Sequence, residues 1–258
     1  MVRSLREILI VPTVLLSMSA VAFSAAAAPA SRAFSVNGVK IHYLVEGQGE
    51  PVVLIHGLHS SALMNWGPNG IMSELAKDHQ VIALDLPGHG QSDKPNDEKA
   101  YGLQLVADVV ALLDELKIKK AHIVGYSLGG MIAIKFLVMH PDRAISGTIG
   151  GMGWLRAGSR LERSWGQLPA RERSRTPTVC VHSMGALSIT QQELEDIHVP
   201  VEIVIGQRDP VKRMYVSPLQ QVRPDWPIVE IEGAGHITCV TRPQFGQAVA
   251  QFVRKQTK

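Results

Sequence analysis

Cysteine is scarce in this sequence, and neither sign of charge dominates. The two cysteines, Cys180 and Cys239, lie too far apart for a CxxC redox motif or a cysteine-based zinc framework. A formal net charge of +3 is too small to indicate nucleic-acid binding. Charged residues make up 19% and hydrophobic residues 45% of the 258 positions, which is a globular balance without the signature of disorder. With no internal repeat and no low-complexity linker, a chain of this length predicts one folded domain.

The first thirty residues differ in character from the rest. Arg3 and Arg6 precede an apolar run over residues 8–23, and an alanine-rich stretch follows. This order predicts a secretory signal peptide over residues 1–28, with cleavage within residues 26–30. The alternative is a membrane anchor, but the apolar run falls short of the roughly 20 residues that a spanning helix needs. We therefore expect a periplasmic or secreted protein with no stable membrane anchor after processing.

Apolar runs alternate with helical patterns along the remaining chain. Residues 34–45 alternate in polarity around an Asn-Gly turn, which predicts an antiparallel hairpin. Continuous apolar runs predict buried strands at residues 51–55, 80–84, 121–124, 144–151, 199–206 and 228–231. The main predicted helices cover residues 103–116, 131–140 and 244–255. Repeated strand-then-helix units indicate an α/β domain, over about residues 31–258, with a parallel sheet covered on both faces.

The sequence Gly-Tyr-Ser-Leu-Gly-Gly at residues 125–130 joins one predicted strand to the helix that follows it. A strand, a Gly-x-Ser-x-Gly turn and a helix form the arrangement that a nucleophile elbow requires. Glycine at positions 125 and 129 suits a turn too tight for side chains, and Ser127 then projects over the amino end of the helix. Ser127 is therefore the predicted nucleophile.

A serine hydroxyl needs a base to take its proton and a third group to orient that base. Asp209 lies in the loop after the predicted strand 199–206, and His236 lies in the loop after strand 228–231. The order serine, acid, histidine, each after its own strand, is the order found when a nucleophile elbow serves a triad. The alternatives are a loop carboxylate and a surface histidine. Taken together with the elbow, the pattern predicts a Ser127–His236–Asp209 triad.

Acyl transfer also needs hydrogen-bond donors for the oxyanion that forms on the substrate. The backbone N–H of Leu128, directly after the nucleophile, is one predicted donor, and that of Leu58, in the loop after strand 51–55, is the second. His56 is assigned a hydrogen-bonding role in shaping this loop rather than the role of base.

The substrate pocket is harder to assign than the catalytic residues. Residues 153–197 form a long connection rich in arginine, which predicts a lid or cap over the site. The arginines have two readings, a solvated surface or an anion-attracting rim. Candidate pocket residues, each with core packing or lid surface as the alternative, are His56, Trp66, Tyr126, Trp154 and Trp165.

Several motifs together resemble the α/β-hydrolase fold superfamily, in its serine-nucleophile, esterase- and lipase-like branch. They are His56-Gly57, the Asp-Leu-Pro-Gly-His-Gly-Gln-Ser stretch at residues 85–92, the elbow at 125–130, Gly-Gln-Arg-Asp at 206–209 and Gly-Ala-Gly-His at 233–236. The resemblance covers residues 34–255. It implies a mostly parallel eight-stranded sheet with helices on both faces and a short cap, and it implies that Asp85 and His89 are structural rather than catalytic.

The resemblance also implies a reaction class. Dehalogenases and epoxide hydrolases of this fold carry an aspartate nucleophile, so Ser127 favours hydrolysis of a small-molecule carboxylic ester without metal or organic cofactor. Thioesterase, lactonase, haloperoxidase-like perhydrolase, carbon–carbon bond hydrolase and hydroxynitrile lyase activities remain alternatives. Outside catalysis, a ligand-binding protein on the same fold, or an exported protein whose basic lid meets anionic partners, is the competing reading. Export would permit a disulfide between Cys180 and Cys239, and two unpaired buried thiols are the alternative.

Overall fold

A computed structural model describes residues 28–169 and 176–257 of the chain. The predicted signal peptide lies outside the described residues, apart from its last position, and so do the cap arginines Arg171, Arg173 and Arg175. Across the described ranges, no helix combines the length and the apolar character that crossing a bilayer requires.

Eight strands form one sheet. They are Ala30–Val36 (β1), Val39–Glu46 (β2), Glu50–Ile55 (β3), His79–Leu84 (β4), Ala121–Tyr126 (β5), Ala144–Gly150 (β6), Val201–Gly206 (β7) and Ile228–Ile231 (β8). Their spatial order is β1-β2-β4-β3-β5-β6-β7-β8, and only β2 runs against its neighbours. The predicted mostly parallel eight-stranded sheet is thus confirmed. The hairpin turn at Asn37 and Gly38 has positive φ at both residues, which is why Asn-Gly suits it.

Ten α-helices occur in the described part of the chain. They are Ala62–Trp66 (α1), Ile71–Leu75 (α2), Leu103–Glu115 (α3), Leu128–Met139 (α4), Arg160–Trp165 (α5), Thr178–His182 (α6), Gln191–Glu195 (α7), Ser217–Val222 (α8), His236–Cys239 (α9) and Pro243–Gln256 (α10). A π-helical turn at Lys212–Val216 leads into α8. The three long helices lie within a few residues of their predicted bounds.

Helices cover both faces of the sheet. Val53, Ile123 and Ile203 belong to the apolar cluster that includes α3 and α4, whereas Leu54 and Val204, on the opposite face, belong to the cluster that includes α2 and α10. Because both faces are buried, the central strands read as continuous apolar runs. Burying each such side chain contributes about 1.5–3 kcal/mol.

The register of the parallel strands places their carboxyl ends at one edge of the sheet. Ile55 pairs with Gly125, Gly125 with Ile149, and Gly206 with Ile231. The loops after β3, β5, β7 and β8 therefore leave from the same edge, where ligands bind in open α/β sheets.

The loop after β4 is held by the carboxylate of Asp85. Its Oδ1 accepts from Ala62 N–H at 2.7 Å, and its Oδ2 accepts from Gln91 N–H at 2.9 Å and bonds His42 Nδ1 at 2.8 Å. Burial raises the pKa of Asp85, but these hydrogen bonds outweigh it, so the pKa lies below its ordinary value. Asp85 therefore anchors α1 and the loop to the sheet.

The cysteines are not bonded to each other. Cys180 on α6 and Cys239 on α9 are both buried free thiols. Burial raises the pKa of each thiol to about 12, so both stay protonated and unreactive at neutral pH. Of the two alternatives, a disulfide and two unpaired buried thiols, the structure shows the unpaired thiols.

Candidate active site

Ser127 sits on a strained turn between β5 and α4. Its φ of 54° and ψ of −112° are a conformation that side-chain-bearing residues rarely adopt, at a cost of about 1–3 kcal/mol. The amide of Ser127 donates to Gly150 O at 2.8 Å, which ties the turn to the neighbouring strand. The side chain thereby stands at the strand edge, above the first turn of α4.

Close backbone contacts explain the two glycines that flank the serine. A Cβ at Gly125 would lie 1.9 Å from Gly129 O, and a Cβ at Gly129 would lie 1.9 Å from Ile55 O. Neither distance leaves room for any side chain. The glycines thus let β5, α4 and the end of β3 approach closely enough to expose Ser127.

His236 bridges Ser127 and Asp209. Its Nε2 lies 3.0 Å from Ser127 Oγ, and its Nδ1 lies 2.7 Å from Asp209 Oδ2. Because the carboxylate of Asp209 only accepts, Nδ1 carries the proton and Nε2 is left as the acceptor for the serine hydroxyl. The Asp209 side chain is fully buried and also accepts from Val211 N–H at 2.9 Å. The structure thus brings together the three residues that the sequence predicts as a triad.

Hydrogen bonds join the loops that carry the acid and the histidine. Arg208 N–H donates to Ala234 O at 2.9 Å, and Gly233 N–H donates to the side chain of Gln207 at 3.0 Å. The hydroxyl of Tyr126, beside the serine, donates to the carbonyl of His236. These bonds fix the imidazole relative to its two partners.

The loop after β3 lies against the elbow, and the loop and the elbow each carry one of the two predicted oxyanion donors. A Cβ at Gly57 would meet Ser127 Cβ at 3.3 Å, so glycine permits this approach. Leu58, which follows it, lines the same cavity as Ser127. Leu128 is the first residue of α4, where backbone N–H groups have no acceptor within the helix. The arrangement can direct both amides toward an oxygen held at Ser127.

Asn65, which sequence analysis did not single out, supports this loop. Its Oδ1 accepts from Gly57 N–H at 3.2 Å, while its Nδ2 is buried without a partner among the described residues. Asn65 lines the cavity and is 5% exposed. No sequence motif marks Asn65 on the short helix α1, so its place in the site is visible only in the folded structure.

The cavity in front of Ser127 has a volume of about 750 Å³. Its apolar wall comes from the β3 loop, α1, the cap and the α9 region, and the main members are Leu58, Met64, Trp165, Leu168, Val181, Ile237 and Val240. Polar groups include Ser60, Asn65, Thr178 and Thr241. No lysine, arginine, aspartate or glutamate occurs among the described lining residues.

Three of the predicted pocket residues do not line this cavity, while Tyr126 and Trp165 do. Trp66 is buried in the core and stacks on Phe245 at 6.4 Å. Trp154 is buried within the cap segment, where its Nε1–H donates to Ile189 O at 2.8 Å. The prediction was wrong for both because each ring is used in packing.

His56 is the third correction. Its ring is fully buried, with Nδ1 bonded to Gly57 O at 2.7 Å and Nε2 accepting from Leu86 N–H at 3.1 Å. Burial lowers the pKa of His56, so the ring stays neutral and joins the β3 loop to the β4 loop. His56 therefore has the loop-shaping contacts predicted for it but no place at the pocket wall.

Within the described ranges, no group of three or more histidine, cysteine, aspartate or glutamate side chains is placed to hold a metal ion. The chemistry available from the described site residues is that of an activated hydroxyl, an imidazole and backbone amides.

Comparisons with known proteins agree with this architecture. The family model described as alpha/beta hydrolase fold matches residues 50–192, more than half of the chain. A Bacillus subtilis protein named as a 2-succinyl-6-hydroxy-2,4-cyclohexadiene-1-carboxylate synthase is 26% identical over 83% of this chain and 95% of its own length. A 2-hydroxymuconate semialdehyde hydrolase of Pseudomonas putida is 30% identical over 68% of this chain and 62% of its own length. Several other curated relatives are matched over only about a third of their length.

Among solved structures, the enol-lactonase from Burkholderia xenovorans LB400 superposes with a TM-score of 0.72. It is 23% identical, and the match covers 86% of this chain and all of that one. At 23% identity, this similarity shows a shared fold only. With the family model and the elbow geometry, these matches show that the chain belongs to the α/β-hydrolase fold family.

Proposed function

We propose that this protein is a serine hydrolase that cleaves a small carboxylic ester through an acyl-enzyme. The observation that carries the proposal is the continuous hydrogen-bonded chain from Ser127 through His236 to Asp209, at 3.0 and 2.7 Å. This order of contacts is the one that general-base activation of a serine requires.

In the proposed mechanism, His236 Nε2 takes the hydroxyl proton of Ser127 as Oγ attacks the ester carbonyl. Asp209, bonded to Nδ1, stabilises the imidazolium that forms. The amides of Leu58 and Leu128 hold the oxyanion, and His236 then gives its proton to the departing alcohol. A water molecule, activated by the same imidazole, next attacks the acyl-enzyme and restores Ser127. No step calls on a metal or an organic cofactor.

The cavity supports an uncharged, apolar acyl group as substrate. A volume of about 750 Å³ suits a small organic molecule, and the described wall carries mostly aliphatic and aromatic side chains. A carboxylate buried against such a wall would lose its hydration without gaining a cationic partner from the described lining residues.

Hydrolysis of a carbon–carbon bond is the second candidate, because a relative at 30% identity is named as a 2-hydroxymuconate semialdehyde hydrolase. The match covers 62% of that protein, so its activity does not transfer directly. Comparing kcat/KM for 2-hydroxymuconate semialdehyde with that for p-nitrophenyl esters of graded acyl length decides between the two. A higher value for the semialdehyde would replace the ester proposal.

We also propose that the protein is exported, because residues 1–28 have the order of arginines, apolar run and alanine-rich stretch that is typical of a signal peptide. Cell fractionation and amino-terminal sequencing of the exported chain test this. A mature chain that begins within residues 26–30 supports export, and an uncleaved chain in the cytoplasm contradicts it.

Removal of the nucleophile tests the activity itself. We expect Ser127→Ala to lower kcat for p-nitrophenyl butyrate by about 10⁴-fold or more. The matched control is Ser60→Ala, which removes another hydroxyl from the same cavity and should retain kcat within about tenfold. Hydrolysis by Ser127→Ala at the unaltered rate would refute the proposal.

A further inference from the structure

The turn in the β3 loop carries a large side chain at a position that suits glycine better. Ser60 N–H donates to Gly57 O at 3.2 Å and closes this turn over residues 57–60. His59, the third residue of the turn, has a φ of 61°. A turn with positive φ at its third position favours glycine or asparagine, because the Cβ of other residues is strained there. The backbone of the turn therefore does not call for an imidazole.

Three other non-glycine residues of the described chain have positive φ, and the local structure explains each of them. Asn37 belongs to the hairpin turn, which asparagine suits. Ser127 is the elbow serine, and Lys117 follows the C-terminal end of α3, where a left-handed residue is common. His59 lies in none of these settings. Strained residues that local structure does not explain tend to lie at functional sites, where the side chain itself is needed.

His59 also lies where a substrate enters. It lines the cavity in front of Ser127, and it is exposed to solvent. It directly follows Leu58, the predicted oxyanion donor. Apart from His236, it is the one histidine among the described lining residues. His59 therefore adds a hydrogen-bonding ring to a cavity wall that is mostly apolar.

Two further imidazoles lie beneath the loop, where a substrate does not reach them. The rings of His56 and His89 are 5.1 Å apart, and the two residues are 0% and 2% exposed. Burial and the neighbouring His56 lower the pKa of His89 to about 3, with a smaller contribution from His59. This effect requires His59 to lie close to His89. Of the three histidines, only His59 is exposed and can meet a substrate.

We propose that His59 selects the substrate: its imidazole N–H donates to a second oxygen of the ester, near the mouth of the cavity. The substrate class is then an uncharged ester that carries an ether, hydroxyl or carbonyl oxygen besides the ester group. At least one ring nitrogen carries a proton in both the neutral and the charged imidazole, so the donor is present in either state. This inference rests on the proposed function, because it concerns the ester cleaved at Ser127.

Two matched pairs of uncharged esters test this contact. Butyl butyrate and 2-methoxyethyl butyrate differ by one oxygen on the alcohol side, and p-nitrophenyl pentanoate and p-nitrophenyl 3-methoxypropanoate differ by one oxygen on the acyl side. The measured quantity is kcat/KM for the ether divided by kcat/KM for its hydrocarbon partner. We expect His59→Gly to lower this ratio by about three- to tenfold in one pair, the effect of one lost hydrogen bond. The pair that responds identifies the side of the ester that faces His59.

Two further variants separate the imidazole from the backbone conformation. His59→Asn keeps an N–H donor and suits a positive φ, so it should retain more of the preference for the ether than His59→Gly does. Lys117→Gly relieves the same backbone conformation ahead of β5, at the edge of the sheet opposite Ser127, and should leave the ratio unaltered. Both glycine variants should melt at or above the Tm of the unaltered chain, which shows that they are folded.

An unaltered ratio for both ester pairs in His59→Gly would overturn the inference. An equal loss of kcat/KM for all four esters would also overturn it, because His59 would then support the loop without contacting the substrate. Failure of the proposed function is a different result: the unaltered chain would hydrolyse none of the four esters, and the inference would fall with it.

Discussion

Asn65 is a buried amide whose hydrogen bonds are only half satisfied. Its Oδ1 holds Gly57 N–H, whereas Nδ2 has no partner among the described residues. A buried donor left in this way costs about 1–3 kcal/mol. Because Asn65 lines the cavity beside the oxyanion loop, an oxygen of the proposed ester substrate can supply the missing acceptor. We interpret Asn65 as a residue that positions the loop and contacts the substrate.

Replacing this side chain should therefore affect turnover. We expect Asn65→Ala to lower kcat for ester hydrolysis by about tenfold or more, because a small displacement of the oxyanion donors is costly in the transition state. Steady-state kinetics separates kcat from KM, and thermal unfolding checks that the variant is folded. The control is Ser60→Ala, since Ser60 lines the same cavity. A raised KM with unchanged kcat would contradict a role in the transition state.

At the scale of secondary-structure elements, the elbow depends on three backbone segments that approach within contact distance. The Cβ of Gly129→Ala would lie 1.9 Å from Ile55 O, 2.6 Å from Ile55 C and 2.9 Å from His56 O. All three atoms belong to backbone, so no rotamer change relieves the overlap. The close contact of α4 with the end of β3 is thus a requirement of the fold as well as of the site.

Gly129→Ala should lower the free energy of unfolding by about 3 kcal/mol or more. Gly235→Ala is the matched control, because Gly235 has open space at its Cβ position and a φ of −99° that any residue adopts. We expect that control to change stability by less than about 1 kcal/mol. Urea denaturation measures both variants. Equal stabilities would contradict the close packing of the elbow.

Strand β7 contains a buried acid that no described group satisfies. Glu202 is 6% exposed, its Oε1 lacks a partner among the described residues, and burial raises its pKa from 4.5 to about 8. Its register partner on β6 is Thr148, whose buried hydroxyl likewise has no described partner. The folded chain therefore keeps this proton at neutral pH while the unfolded chain releases it.

This difference has a defined sign. Between pH 4.5 and about pH 8 the folded state binds more protons, so Glu202 makes stability fall as pH rises, by up to about 1.4 kcal/mol per pH unit. Glu202→Gln removes this titration. The free energy of unfolding of the variant, relative to that of the unaltered chain, should therefore rise from pH 5 to pH 8. Urea denaturation at pH 5 and pH 8 measures it. A constant difference between the two chains would show that Glu202 is ionised in the folded state.

Secondary structure was largely predictable because the local signals are strong. The long helix bounds differ by a few residues at most, and α4 starts at Leu128 because the elbow serine directly precedes the first turn. Strand β7 starts at Val201 rather than at residue 199, since Pro200 has no N–H to donate to a ladder. Among the short helices of the cap, α7 is predictable from the capping box of Thr190 and Glu193, whereas α5 and α6 carry no periodicity over enough residues to be recognised.

At the scale of the whole molecule, chain topology explains why the predicted triad residues come together and the pocket tryptophans do not. Ser127 and His236 are 109 positions apart, yet each follows a parallel strand, so strand order alone brings them to one edge. A pocket wall instead depends on how loops and cap pack in three dimensions. From the sequence, Trp66 and Trp154 could each pack in the core or line the cavity, and the sequence pattern does not distinguish these two locations.

Covalent labelling tests the assignment of Ser127 as the nucleophile most directly. The full chain is treated with a fluorophosphonate and digested, and the modified peptide is identified by mass spectrometry. We expect one adduct, on Ser127, that is absent from Ser127→Ala and forms at least about 100-fold more slowly in His236→Ala. An adduct on another residue, or labelling that is as fast without His236, would contradict the activation of Ser127 by His236.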